Sequence, residues 1–455
     1  MIVLISDVHL TDESTARNVH RSAFEILEDE IISNVESKKD INEIKVVLLG
    51  DIFDLVRTDY WLRKNIAPAD RPWNGIINPS TGMNGNKEKV EDQFNKILEG
   101  IFDTDACKSF FAMLNNVAKR AKKYNVRDTS VTYVVGNHDR AFNNFESLKN
   151  KVKEKLGNVV EIEFVSVLHD PEYSVLARHG CEWDNDCYSW KFSNNVFKTS
   201  YNQFDEPVYR IMSLGEVITA ELMAGIVYHV SQALANNPSE QDKQFIETIK
   251  EVNNLRPMVE VFRYLDWLTK NGMNKYDDIL RQALRKALEA TYTSSLAILW
   301  KRYDNTIPGL LKRTNILVKK GFGFVKTVVL LLHAIYKVWE GIRSIFVGTE
   351  DDLVSGAREE WKNNSFENIQ YIFYGHTHEA RQDYIEGKQD GTVKLYVNTG
   401  TYLPLIQECS RDNGYSTAYQ MTMAFVYKGS EDHDGKKGDA PSLDIWNGIK
   451  RKIYV

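Results

Sequence analysis

At 455 residues, with 43% hydrophobic and 26% charged side chains, the chain has the material for two or three structural units around a sizeable core. Its formal net charge of −6 disfavours a large non-specific nucleic-acid footprint, which needs dense Lys and Arg against phosphates. Cys107, Cys181, Cys187 and Cys409 are too scattered for a disulfide framework or a thiolate metal site. Met1 leads directly into an apolar run, which leaves no room for a secretory leader, so a cytoplasmic location is expected.

In chain order, short apolar runs are each followed by a polar signature, and the pattern predicts buried strands with functional residues at their carboxyl ends. Residues 2–5 precede Asp7-Val8-His9, and residues 46–49 precede Gly50-Asp51-Ile52-Phe53-Asp54. An insertion follows at about 57–130. It opens as a Gly- and Pro-containing loop over 57–86, with Arg57, Arg63 and Arg71 as candidate phosphate contacts, and becomes helical over 87–124. The basic run 119–123 ends that helix, where the helix dipole favours cations.

Residues 131–135 precede Gly136-Asn137-His138-Asp139, and residues 175–177 precede His179-Gly180. After an aromatic-rich stretch over 182–204 the composition turns helical, with segments predicted over 215–236, 242–253, 258–269, 275–303 and 315–346. Leu280, Leu284, Ala287 and Leu288 fall on one face of the fourth, which is amphipathic spacing. Residues 371–374 then precede Gly375-His376-Thr377-His378, and residues 395–397 precede Asn398-Thr399-Gly400-Thr401, a turn with at most a supporting part in the site.

The signatures hold half of the ten histidines of the chain. Imidazoles, carboxylates and one carboxamide together suit hard or borderline divalent ions such as Mn, Fe, Zn or Mg. Loops at one sheet edge can bring such residues together from distant parts of a sequence.

The five signatures, in this order, resemble those of the calcineurin-like metallophosphoesterase superfamily, and the resemblance covers roughly 1–180 and 366–430. It implies an α/β fold, a β-sandwich flanked by helices, with a core in two parts (1–204 and 366–455); the stretch between them is the largest departure from a minimal family member, and its helical composition reads as a large cap inserted at 205–365. The resemblance further implies two divalent metal ions, with Mn the leading candidate. Asp7, His9 and His378 would hold the first, Asn137, His179 and His376 the second, and Asp51 would bridge them. His138 would face the substrate phosphate, steadied by Asp54.

Two cations bind phosphate oxygens and make a water nucleophilic near neutral pH, so the expected activity is hydrolysis of a phosphodiester, phosphomonoester or pyrophosphate. The expected substrate is a phosphorylated small molecule or a lipid-like one. Sugar-nucleotide lipid pyrophosphatases are similar in motif order and in having a cap, but their usual Asn-Arg-Asp is replaced here by Asn137-His138-Asp139. Two alternatives stand beside this reading: a DNA nuclease resembling the recombination-repair exonucleases, disfavoured by the acidic balance, and a non-catalytic scaffold retaining the fold.

The stretch 322–347 is the most apolar of the chain, yet Lys326, His333, Lys337, Glu340 and Arg343 interrupt it. No transmembrane segment is expected there, since a span takes about 20 apolar residues. Two readings remain open for it: a buried helix of the cap, or a lipid-facing surface giving peripheral membrane contact, to which nearby Lys312, Arg313, Lys319 and Lys320 add positive charge.

Overall fold

The apolar runs form strands, and their sides are fixed by parallel pairing. In the computed structural model, which describes all residues except 39, 158, 256–259, 319–349, 388–392, 410–413, 433–439 and 454–455, β1 (Ile2–Ile5), β2 (Glu43–Leu49), β3 (Asp128–Val134) and β4 (Glu161–Val165) pair in parallel and in that order. Strands covered on both faces read as continuous hydrophobic runs, which is why Ile2-Val3-Leu4-Ile5 shows no alternation and is buried throughout.

The second sheet holds β5 (Leu168–Asp170), β6 (Val175–Ala177), β7 (Tyr371–Tyr374), β8 (Arg381–Gly387) and β9 (Val393–Asn398) in the order β5-β6-β7-β9-β8. The first sheet is extended by β10 (Leu405–Glu408), β11 (Tyr415–Tyr427) and β12 (Ser442–Ile453), with β11 antiparallel to β1. One apolar cluster draws on both sheets: Ile2, Leu4, Val47 and Leu49 from the first, Val175, Phe373 and Val397 from the second. The protein is therefore a mixed α/β structure with two sheets flanked by helices.

The helices cover the sheets by amphipathic burial. Ser22–Ser37 buries Phe24, Leu27, Ile31, Ile32 and Val35, the spacing of one helical face. The single helix expected over 87–124 is two, Lys87–Phe102 and Asp105–Ala121. Thr104 divides them by accepting the backbone N–H of Cys107 as an N-cap, an arrangement short polar side chains favour at helix starts. Arg120 at the end of the second pairs with Glu28 and Asp29, while Lys119, Lys122 and Lys123 of the basic run are exposed.

The loop predicted over 57–86 runs partly over the surface but sends its tryptophans into the core. Trp61 and Trp73 are fully buried, and the Trp73 indole N–H donates to Glu221 at 2.6 Å across nearly 150 residues of sequence.

In the helical stretch, the segment expected over 275–303 breaks at Ser294, which caps Ser295–Trp300 after Asp277–Thr293 ends. The next helix, Thr306–Val318, starts well before the expected 315. Pro308 causes no break because it lies in the first turn, where its missing N–H has no helical acceptor to lose. The apolar stretch 322–347 lies outside the described residues. Among the described residues one run, Glu206–Ala233, has the length and hydropathy of a membrane span, but 94% of its apolar window is buried inside the protein.

A single apolar cluster joins the first sheet and its helices to the helical stretch, through Trp61, Trp73, Ile218, Leu284 and Trp300. Phe53, in the loop after β2, sits at its centre with its ring against Phe102, Phe110, Phe111, Tyr133 and Phe142. Phe53→Ala is expected to destabilise the protein by about 3–5 kcal/mol in urea unfolding. A loss below about 1 kcal/mol would show that this cluster closes over the gap.

Candidate metal centre

The loops beyond the strand ends are tied to each other by backbone hydrogen bonds before any side chain is considered. Asp7 N–H donates to Gly50 O at 3.1 Å, His9 N–H to Asp51 O at 2.9 Å, Leu55 N–H to His138 O at 3.2 Å and Gly375 N–H to His179 O at 2.8 Å. Asp139 braces the same region, accepting from Gly136 N–H at 2.6 Å, Ile52 N–H at 3.0 Å and the Tyr133 hydroxyl at 2.5 Å. Asn398 holds the Gly375–His378 turn by donating to Gly375 O and Thr377 Oγ1, both at 2.8 Å.

Two glycines are demanded by crowding: a Cβ at Gly136 would collide with Asp51 Oδ1, and one at Gly375 with Asp7 Oδ2. Asp7, His9, Asp51, His376 and His378 all take left-handed φ between 49° and 70°. That conformation is uncommon for residues with a Cβ, and its concentration here is the mark of a site that fixes side-chain direction at some cost in stability.

The candidate residues converge. Asp7, His9 and His378 form one buried group, and Asp7, Asp51 and His179 another. The ring nitrogens His9 Nε2 and His378 Nε2 face each other at 2.9 Å, with Asp7 Oδ1 3.7 Å from the first and 3.4 Å from the second. His9 Nδ1 lies 2.8 Å from Asp54 Oδ2. A proton on Nδ1 makes that bond and leaves Nε2 a lone pair directed at its two neighbours.

His179 repeats the logic, with Nδ1–H on Leu49 O at 2.7 Å and Nε2 between Asn137 Oδ1 at 3.1 Å and Asp51 Oδ2 at 3.4 Å. Outer hydrogen bonds that fix the imidazole tautomer in this way are the usual supports of metal-ligating histidines. The donor set, carboxylate and imidazole with one carboxamide, therefore fits divalent cations, and the buried Asp/His groups lie within metal-binding distance.

Electrostatics show what such a cation would replace. Burial works to lower the basicity of His179, but the adjacent Asp51 carboxylate outweighs it and raises its pKa to about 10. Asp51 is itself opposed by burial, yet His179, His138 and His9 hold its carboxyl well below the ordinary range. Asp51 thus favours a proton on His179, among the oxygens that could otherwise surround a cation.

His138 joins His9 and Asp54 in a further buried group. Its Nδ1 bonds Asp54 Oδ2 at 3.0 Å, its backbone N–H donates to Asp51 Oδ1 at 2.8 Å, and its Nε2 lies 4.0 Å from Asp51 Oδ2. Asp54 Oδ2 therefore serves His9 and His138 together, and Arg57 adds its Nε at 3.2 Å. Of the three arginines proposed as phosphate contacts only Arg57 lies here, since Arg63 pairs with Asp59 and Arg71 with Glu221. A small cavity behind His138 is lined by Val56, Phe94, Arg140, Met212 and Glu216.

His376 is the member whose ring nitrogen is engaged elsewhere: Nε2 lies 3.2 Å from Asp184 Oδ2, while the ring sits 5.3 Å from that of His179. Asp184 carries no motif. The only sequence signal near it was its position five residues after His179.

Comparison with protein-family models and with curated protein sequences gives no match.

Proposed function

We propose that the chain is a dinuclear metal-dependent phosphoesterase of the calcineurin-like type, with the two sheets as its sandwich and the helical stretch 205–365 as its cap. The observation that carries this reading is the arrangement around Asp51. Its buried Oδ2 lies 3.8 Å from His9 Nε2 and 3.4 Å from His179 Nε2, near a histidine of each proposed ion, which supports a carboxylate shared by both.

On this reading Asp7, His9 and His378 hold one ion, Asn137, His179 and His376 the other, and Asp51 both. Two divalent ions at such a site supply Lewis acidity toward the phosphate oxygens and lower the pKa of a coordinated water.

The side chains of the chain do the rest. Asp54 keeps a proton on His138 Nδ1, which turns Nε2 toward the side occupied by Asp51. With a second proton on Nε2 the ring is an imidazolium, and Nε2–H can then donate to a phosphoryl oxygen or pass that proton to the leaving group and return to the neutral ring, a contribution of about 10²–10⁴-fold for a well-placed acid. The substrate this supports is a phosphorylated small molecule or a lipid-like phosphoester, selected by the helical stretch.

The test is metal analysis of the purified chain together with hydrolysis of bis(p-nitrophenyl) phosphate by the Mn-loaded protein. Two ions per chain with activity that chelation abolishes is the expected result. Two ions without hydrolysis of any phosphomonoester, diester or pyrophosphate tried would overturn it.

Proton release supplies an independent check. Because the adjacent Asp51 carboxylate favours the protonated form of His179 when no cation is present, binding at pH 7 is expected to expel a proton, and apparent affinity should fall with decreasing pH by up to about tenfold per unit. Calorimetry of Mn binding in buffers of different ionisation enthalpy is expected to show about one proton released. No release would place the cation away from His179.

A further inference from the structure

The Nε2 atoms of His9, His179 and His378 face other candidate ligands, whereas that of His376 faces a residue outside that set. Asp184 Oδ2 faces that nitrogen at 3.2 Å, and Asp184 is only 2% exposed. Its other oxygen, Oδ1, accepts Asp186 N–H at 2.9 Å and Cys187 N–H at 3.3 Å, which locks the carboxylate in one orientation.

The turn that carries it is itself pinned. Asp186 O accepts Gly215 N–H at 2.9 Å, and Cys187 O accepts Arg140 Nη2 at 2.6 Å. Arg140 is in turn held by Glu216 through an ion pair of 3.1 Å, both partners buried. A Cβ at Gly215 would come within 2.7 Å of Cys187 Sγ, so turn and helix start are in close contact.

We propose that Asp184 is a positioning residue for His376. By accepting the Nε2 proton it selects the tautomer with its lone pair on Nδ1, and so makes Nδ1 the atom His376 offers to the ion it shares with Asn137 and His179. This rests on the two-metal reading above. It adds that the second ion depends on a residue held by the start of the helical stretch, through Gly215 and Glu216, while the first does not.

The experiment is Mn²⁺ titration of the full-length chain by calorimetry, with bound-ion counting, for the wild type, Asp184→Ala and Asp184→Asn. In Asp184→Ala one of two sites should weaken by about 10–100-fold, the usual loss for an outer partner of a metal ligand, and the other should not change. Asp184→Asn, which keeps an acceptor oxygen of the same shape, should lose less and guards against a variant that fails to fold.

Long-range ¹⁵N spectra of the metal-free chain give a readout that general destabilisation would not move: His376 carries its proton on Nε2 in the wild type and loses that preference in Asp184→Ala. Two unchanged sites in Asp184→Ala, or a wild-type His376 protonated on Nδ1 alone, would overturn the proposal. Cys187 Sγ also lies near this pair. If Cys187→Ser and Asp184→Ala remove the same ion outright, the two residues ligate it directly and positioning is refuted. A wild type that binds no divalent ion overturns the two-metal reading and this proposal with it, which only the wild-type titration can show.

Discussion

Asp51→Asn is expected to empty the site of metal and to abolish turnover while leaving the metal-free protein folded. The carboxylate is 1% exposed and lies among His9, His138 and His179, so no solvent charge can stand in for the one removed. An amide retains an oxygen to accept His138 N–H, now bonded at 2.8 Å, so the loop geometry has little reason to change.

What is lost is the anion facing both groups of imidazoles. Outer partners of metal ligands are worth about 10–100-fold in affinity, and a shared ligand should exceed that for both ions at once. Calorimetry and metal counting on the variant, beside thermal unfolding of both metal-free proteins, separate the effects. Two retained ions with undiminished hydrolysis would remove Asp51 from the bridging position.

The site was legible in the sequence to the extent that each candidate ligand follows an apolar run. Burial on both faces forces such a run to be continuous, and the chain must turn where it ends, so Asp7, Asp51 and Asn137 could be placed at one sheet edge before any coordinates, whereas His179 follows β6 of the second sheet, a division that the apolar runs do not announce. Residues that act through them were much less visible. Asp184 sits in an aromatic-rich stretch with no periodicity, and its partner is 192 positions away.

The buried state of Trp73 was hidden for the same reason, because its partner Glu221 belongs to a helix that the sequence around Trp73 does not announce. Helix boundaries were misplaced where one capping side chain decides them, at Thr104 and Ser294. There, average composition continues across the break and only the local hydrogen bond stops the helix.

Asp54 should prove more costly to lose than His138, although it lies farther from any substrate. His138→Asn removes the imidazole that bonds Asp54 and turns Nε2 toward Asp51, without disturbing His9, His179 or His378. The expected result is a kcat lower by about 10²–10⁴-fold with unchanged metal content.

Asp54→Ala takes the acceptor from His9 Nδ1 and His138 Nδ1 together, now at 2.8 and 3.0 Å. His9 is then free to rotate or change tautomer, and the affinity of the ion it shares with Asp7 and His378 should fall by about 10–100-fold in addition to the loss in kcat. The Arg57 guanidinium, 4% exposed, would also lose the carboxylate it pairs with. Removing one partner of a buried ion pair typically costs about 3–5 kcal/mol.

Burial opposes the charge on Asp54, but His138 and Arg57 hold its carboxyl well below the ordinary range. It is therefore an anion across the range in which metal binding and hydrolysis would be assayed, and the loss should not depend on pH between about 5 and 8. Parallel measurement of Mn affinity, kcat and unfolding on both variants decides the matter. If Asp54→Ala binds metal as tightly as His138→Asn and is equally stable, Asp54 supports His138 alone and its contact with His9 carries no weight.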